Sequence, residues 1–173
     1  MRPDAPRPAL FLDRDGVLNE DPGYVHRWED FRWIEGARDA VAAFNRAGWW
    51  VFVVTNQSGV GRGYYSEADV IALHDQMSRS LAEVAGRIDA YYYCPDHPEA
   101  CDPAYRHPDP PNRKPNPGML LQAMAEWPVD RASSIMIGDK DGDVEAGHRA
   151  GVRGLKFMGG NLMSFLETEL LPR

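Results

Sequence analysis

Residues 10–20 read LFLDRDGVLNE, an apolar run that ends in Asp13, Arg14, Asp15 and Gly16. Two carboxylates two positions apart repel each other, so their joint presence asks for a cation between them. Three further stretches carry related chemistry. TNQSGVGRG at 55–63 offers the Thr55 hydroxyl, the Asn56 and Gln57 amides, the Ser58 hydroxyl, Arg62, and backbone N–H groups that the glycines leave approachable. Such a loop can wrap a phosphate. RKP at 113–115 places Arg113 and Lys114 ahead of a proline, and Lys114 as a point charge would neutralise phosphoryl oxygens. GDKDGD at 138–143 adds Asp139, Asp141 and Asp143, with Lys140 among them. Carboxylates gathered with few other ligands suit Mg²⁺, which takes oxygen donors and commonly engages a phosphate. Each stretch alone has an ordinary reading as a turn, a cap, a loop or surface charge. GVGRG lacks the Lys-Ser/Thr pair of a nucleotide P-loop, and GDKDGD lacks the closing Glu of a calcium loop. It is the ordered set of four that points to phosphoryl chemistry.

Those residues need a scaffold that delivers them to one place. Five short apolar runs bounded by turn signals read as strands: 9–13, 50–55, 89–93, 134–138 and 152–157. Four are nearly continuous in apolar residues, as strands covered on both faces should be. Helical patterns lie between them. Residues 36–47 carry Ala37, Ala40, Val41, Phe44 and Ala47 and stop at Gly48. Ser66, with Asp69 three positions on, predicts the cap of a helix running to about Gly86. Pro117 suits the first position of a helix over 117–127, and shorter helices are predicted over 142–150 and 161–170. The alternation predicts an α/β, Rossmann-like three-layer fold with a central parallel sheet. In such sheets the site lies beyond the carboxyl ends of the strands. Asp13 and Asp15 follow the first strand, Thr55, Asn56 and Ser58 the second, and Asp139, Asp141 and Asp143 the fourth. Residues 94–112 hold six prolines and are too long and stiff for an ordinary connector, which marks them as a functional loop.

The 173 residues suffice for one domain with a sizeable core, expected over 9–173 behind a flexible tail at 1–8. A net charge of −7 without a basic run argues against a nucleic-acid partner, which needs a positive surface. No apolar run reaches membrane-span length, and MRPDAPRPA lacks the apolar region of a signal peptide. Cys94 and Cys101 both fall in the Pro-rich loop. Without a secretion signal they point to a reducing cytoplasm and not to a disulfide framework. A monomer is expected.

LFLDRDGVLNE, VVTNQSGVGRG, RKPNPGM and MIGDKDGD resemble, in order, the four motifs of the haloacid dehalogenase (HAD) superfamily of phosphohydrolases. The likeness runs over residues 9–158. GYVHRWEDFRWIEGA (23–37), TNQSGVGRGYYSE (55–67) and RKPNPGMLLQA (113–123) are similar to its small subfamily of heptose bisphosphate and histidinol-phosphate phosphatases. The resemblance implies a Mg²⁺-dependent phosphomonoester hydrolase working through an aspartyl-phosphate. The expected substrate is a small phosphorylated sugar, D-glycero-D-manno-heptose 1,7-bisphosphate, losing its 7-phosphate on the way to activated heptose for cell-envelope sugars. It implies Asp13 as nucleophile and Asp15 as general acid, then base. Mg²⁺ would be held by Asp13, the Asp15 backbone carbonyl and Asp139, with Asp143 ordering the metal's waters or Lys114. Thr55 and Lys114 would bind the transferring phosphoryl oxygens, and Lys140 is a further candidate for Asp143's ordering role. Asn56, Gln57, Ser58 and His26 are expected on the substrate side, and Arg62 and Arg113 on the second, non-reacting phosphate. The gaps between motifs leave no room for a large cap domain, so specificity falls to the loops 19–33 and 94–112.

Subfamily members often carry a structural zinc before RKP, held by Cys-x-His and a later Cys-x-Cys. Here Cys94 matches the first ligand, but Asp96 stands at the His position, with His97 shifted by one. Pro110 and Asn112 stand at the two later Cys positions. The expectation is a zinc-free loop stiffened by proline. The alternative is a shifted Zn²⁺ quartet of Cys94, His97, Cys101 and His107. His74 and His148, on helices, are expected at the surface. Three rival functions stand beside the leading one. A histidinol-phosphate phosphatase would run the same chemistry on a cationic substrate. TNQSGVGRG also resembles nucleic-acid 3′-phosphatases, against which the missing basic face weighs. A non-enzymatic binding module would not need Asp13 and Asp15 beside Lys114 and Asp139. GYVH and Arg62 favour the sugar bisphosphate.

Overall fold

The computed structural model describes residues 5–170. Its centre is a sheet of β1 (Ala9–Leu12), β2 (Trp50–Asn56), β3 (Ala90–Cys94), β4 (Ile135–Gly138) and β5 (Arg153–Lys156). All pairings are parallel and the order is β3-β2-β1-β4-β5. Every residue of β1 and β4 is buried, which is why those runs are apolar without alternation. The edge strand β5 instead exposes Arg153 and Lys156, charges that discourage pairing with another chain.

The helices are α1 (Ala37–Arg46), α2 (Glu67–Ala82), α3 (Gly118–Glu126), α4 (Asp141–Arg149) and α5 (Leu162–Leu170). Successive residues of β1 point to opposite faces, and each face has its own core. Leu10 and Leu12 pack with Val41 of α1, Leu73 and Met77 of α2 and Leu166 of α5. Ala9 and Phe11 pack with Met119 and Leu120 of α3 and Ala146 of α4. The three layers match the predicted fold. Ser66 accepts from the Asp69 N–H, and the Asp69 carboxylate accepts from the Ser66 N–H, a reciprocal cap that starts α2. The helix ends at Ala82, short of Gly86, because Ala85 turns left-handed (φ 57°) and the Gly86 N–H closes on the Leu81 carbonyl at 2.9 Å.

The tail expected over 1–8 is corrected at its end. The Arg7 N–H donates to Pro128 O at 3.0 Å, Arg7 O accepts from the Asp130 N–H at 2.7 Å, and the Arg7 guanidinium lies 4.5 Å from the Trp50 ring centre. Residues 1–4 of that expectation lie outside the described residues. No described helix is long and apolar enough to cross a membrane.

The chain winds from β1 outward to β3, then returns to place β4 against the other side of β1. That reversal is the topological switch point, where parallel sheets bind ligands. Asp13 and Asp139 leave these two adjacent strands, and the Asp13 N–H still bonds the Ile137 carbonyl at 3.0 Å.

Candidate active site

Asp13, at the end of β1, is 7% exposed. Its Oδ1 accepts from the Arg14 N–H at 2.9 Å and from Lys114 Nζ at 2.8 Å. The same Nζ lies 2.8 Å from Asp143 Oδ1. Asp143 Oδ2 accepts from the Lys140 N–H at 3.0 Å, which fixes the carboxylate at the start of α4. Lys114 is itself positioned through its backbone: Asn56 Oδ1 accepts from its N–H at 3.0 Å and Asn56 Nδ2 donates to its carbonyl at 3.1 Å. Asn56, expected on substrate, thus spends its side chain on Lys114.

Among the described residues, acidic, His and Cys side chains converge as a potential metal cage in one place. Asp13, Asp139 and Asp143 each offer an atom within 4.8 Å of the others. Two of them, Asp13 and Asp143, share the Lys114 ammonium. Burial pushes the Asp13 carboxyl up to about 8, Lys114 opposes the rise, and Asp143 and Asp15 add to it. Asp139 is raised as well, chiefly by burial. Burial alone would lower Lys114, but Asp13 and Asp143 together outweigh it and hold the ammonium charged. The two carboxylate contacts at 2.8 Å agree with a charged Lys114. Asp139 Oδ1 is buried without a hydrogen-bond partner among the described residues. An orphaned carboxylate oxygen in an all-oxygen set fits a hard divalent cation such as Mg²⁺. Asp143 belongs to this group of carboxylates and also contacts Lys114, one of the partners expected of it, at 2.8 Å.

Gly16 makes room for that cage. It turns at φ 87°, and a Cβ there would overlap the Asp139 carboxylate. Gly16→Ala is expected to raise the Mg²⁺ dissociation constant by about 10–100-fold, the scale on which supporting residues act. Calorimetric titration with Mg²⁺ checks this; unchanged affinity would detach Gly16 from the site.

Asp15 faces the same cavity beside Asp13. Its Oδ1 accepts from Arg14 Nε at 3.1 Å and Asn19 Nδ2 at 3.0 Å, and its Oδ2 from Gln57 Nε2 at 3.0 Å. The cation demanded by the two carboxylates is therefore partly supplied by the residue between them. Gln57 is 1% exposed and also donates to Thr55 Oγ1 at 2.8 Å, while its Oε1 accepts from Tyr65 Oη at 2.6 Å. Gln57 is thus a linker of the site walls, and Thr55, 1% exposed, lies outside the cavity lining. His74, expected at the surface, is corrected: it is 4% exposed on the inner stripe of α2 and contacts Arg14 Nη1 through Nε2 at 3.3 Å. Burial, then the Arg14 charge, pushes its pKa down to about 3.

The cavity, about 500 Å³, is lined by Asp13, Asp15, Ser58, Arg62, Arg113, Lys114 and Lys140, among others. Among the described residues, Arg62 Nε and Arg113 Nη1 have no hydrogen-bond partner. His26 lies outside this lining, stacked on Tyr65 at 4.7 Å between ring centres, with Nδ1 at 2.9 Å from Tyr24 O. The quartet Cys94, His97, Cys101 and His107 is not gathered to one point. His97 Nδ1 accepts from the Glu99 N–H and His107 Nδ1 from the Asp109 N–H, both at 3.0 Å, and His97 Nε2 sits 3.3 Å from Arg62 Nη2. The Pro-rich loop is tied to α2 through Tyr105 Oη, which donates to Glu67 at 2.8 Å, as does Tyr93 Oη of β3.

A family model described as HAD-hydrolase-like matches residues 111–164. Over 172 residues the chain is 46% identical to the D-glycero-beta-D-manno-heptose-1,7-bisphosphate 7-phosphatase of Rhodopseudomonas palustris, covering 99% of this chain and 95% of the relative. The chain belongs to the HAD-like phosphatases. The D-glycero-alpha-D-manno-heptose-1,7-bisphosphate 7-phosphatase of Burkholderia mallei is 46% identical to this phosphatase over 144 residues, 83% of this chain and 76% of the relative. Among solved structures, the D,D-heptose 1,7-bisphosphate phosphatase of B. bronchiseptica, complexed with magnesium and phosphate, aligns with a TM-score of 0.78. Its identity is 34%, and the match covers 96% of this HAD phosphatase and 89% of that chain.

Arg14 and His74 are the residues that sequence reading missed. The demand for a cation between Asp13 and Asp15 pointed at Arg14 itself. Position 74 falls on the stripe of Val70, Leu73, Met77 and Leu81, which is buried throughout.

Proposed function

We propose that this phosphatase removes the 7-phosphate of D-glycero-D-manno-heptose 1,7-bisphosphate through an aspartyl-phosphate on Asp13. The observation that carries the reading is that one cavity holds both a reacting set, Asp13, Asp15 and Lys114, and two arginines with unpartnered nitrogens among the described residues. The first set suits a phosphoryl group in transfer, and Arg62 and Arg113 suit a second phosphate that stays. The names of the relatives describe a bisphosphate of this kind. The same arginines disfavour the cationic histidinol phosphate, and a net charge of −7 disfavours a nucleic acid.

Asp13, Asp139 and the Asp15 carbonyl, with Asp143 alongside, would hold Mg²⁺, whose charge offsets that of the phosphoryl oxygens. An Asp13 carboxylate oxygen bonds to phosphorus as the bond from phosphorus to the C7 oxygen breaks. Asp15 gives a proton to the departing alkoxide. It then takes a proton from the water that attacks the aspartyl-phosphate, which releases inorganic phosphate and restores Asp13. Lys114 neutralises the phosphoryl oxygens while Asn56 keeps its backbone in place. Two free cysteines, Cys94 and Cys101, accord with a reducing cytoplasm, and the reading has the enzyme acting there as a monomer.

Phosphate release measured on heptose bisphosphate, histidinol phosphate and a 3′-phosphorylated oligonucleotide tests the substrate. Heptose bisphosphate is expected to lead in kcat/KM by at least about 100-fold; a lead for either rival sinks the assignment. Asp15→Asn is expected to lose about 10²–10⁴-fold in kcat/KM, which reads aspartyl-phosphate formation and not its shared hydrolysis, on this alkyl phosphate, and much less on p-nitrophenyl phosphate, whose leaving group needs no proton. Equal losses in kcat/KM would remove Asp15 from the acid role.

A further inference from the structure

Arg14 is a fully buried charged side chain, and the chemistry above does not use it. It lies outside the cavity lining, so it does not touch substrate. Its guanidinium nevertheless gathers four separate parts of the site. Nε and Nη2 donate to Asp15 at 3.1 Å; Nη2 also donates to the Val25 carbonyl at 2.7 Å and to Gln57 Oε1 at 3.3 Å; Nη1 faces His74 Nε2 at 3.3 Å. A guanidinium has donors only, so the His74 contact requires a lone pair on Nε2 and the proton on Nδ1. The imidazole is held in that orientation by stacking on Tyr91 of β3, with ring centres 4.5 Å apart and planes 14° apart. Its depressed pKa agrees with a neutral ring.

We propose that Arg14 and His74 form a positioning pair for Asp15, in which His74 on α2 locks the guanidinium and the guanidinium aims the carboxylate at the reacting phosphate. Arg14 stays protonated throughout and exchanges no proton with substrate. His74 provides the acceptor found for Nη1. Without it a buried donor is left unsatisfied, and the guanidinium gains by rotating away from Asp15 to find another partner. The sheet and α2 thereby set the direction of a side chain that sits on a loop, which is how a rigid scaffold gives precision to a loop residue.

The proposal rests on Asp15 as the proton donor, and the test separates the two claims. Four variants, Asp15→Asn, His74→Leu, His74→Gln and Arg14→Lys, are assayed for kcat and KM on heptose bisphosphate and on p-nitrophenyl phosphate, with folding checked by near-UV circular dichroism. His74→Leu removes the acceptor and His74→Gln keeps one. His74→Leu is expected to lower kcat/KM, which reads the leaving-group step, on heptose bisphosphate by about 10–100-fold, the scale of a misplaced catalytic group. Its loss on p-nitrophenyl phosphate should be within about threefold, and His74→Gln should restore most of the rate on the sugar. Arg14→Lys, which loses the planar fork, should show the same substrate split, and it carries the test if His74→Leu does not fold. In an Asp15→Asn background the His74 or Arg14 change should add no further loss on the sugar. Equal losses on both substrates, or a wild-type rate in the folded variants, overturns the positioning pair while a selective Asp15→Asn loss leaves the Asp15 role standing. A non-selective loss in Asp15→Asn itself overturns both.

Discussion

Asp13→Asn is expected to lower turnover by at least about 10⁴-fold, the scale seen when a covalent nucleophile is lost. The carboxylate sits at the carboxyl end of the central strand, where Lys114 and the Arg14 N–H fix Oδ1 at 2.8 and 2.9 Å. An amide is nearly isosteric, so the variant should fold and bind substrate, yet it cannot form an acyl phosphate. Wild-type enzyme mixed with substrate, then quenched and reduced with tritiated borohydride, should yield labelled homoserine at position 13, with the phosphate released. A variant keeping a tenth of wild-type kcat, or label on another residue, would remove Asp13 from the covalent step.

Lys114→Met should be nearly as damaging, for two separable reasons. The ammonium contacts Asp13 and Asp143 at 2.8 Å with its own side chain 2% exposed. Removing it leaves buried carboxylates facing each other without their cation, and breaking a buried pair costs about 3–5 kcal/mol. It also removes a charge from the transferring phosphoryl group, for which a loss of about 10²–10³-fold in kcat is expected. Urea unfolding reads the first effect and kcat at saturating Mg²⁺ and substrate reads the second. A folded variant within tenfold of wild-type kcat would show that Lys114 does not neutralise the phosphoryl group.

Much of this was legible in the sequence because local patterns and global topology agree. Apolar runs bounded by turns marked all five strands, and a carboxylate after the first and the fourth marked the carboxyl edge of the sheet as the place of the site. What was not legible is which polar side chains turn toward ligand and which toward one another. Asn56 and Gln57 look alike in TNQSG, yet Asn56 clamps the Lys114 backbone and Gln57 bridges Thr55, Asp15 and Tyr65. Side-chain direction of this kind depends on partners 42 and 58 residues away. The flanks of the site were read by type alone. His26 went to Tyr65, and His97 and His107 to nearby backbone N–H groups, because a short-range acceptor role satisfies an imidazole without a metal.

The central claim is regiochemical: one phosphate leaves and the other is retained. ³¹P NMR of D-glycero-D-manno-heptose 1,7-bisphosphate with the enzyme and Mg²⁺ reads it in a single sample. The account predicts that the C7 phosphate resonance gives way to inorganic phosphate while the anomeric C1 resonance persists at full intensity. Loss of the C1 resonance first, or a bisphosphate spectrum unchanged over many hours with active enzyme present, would contradict it.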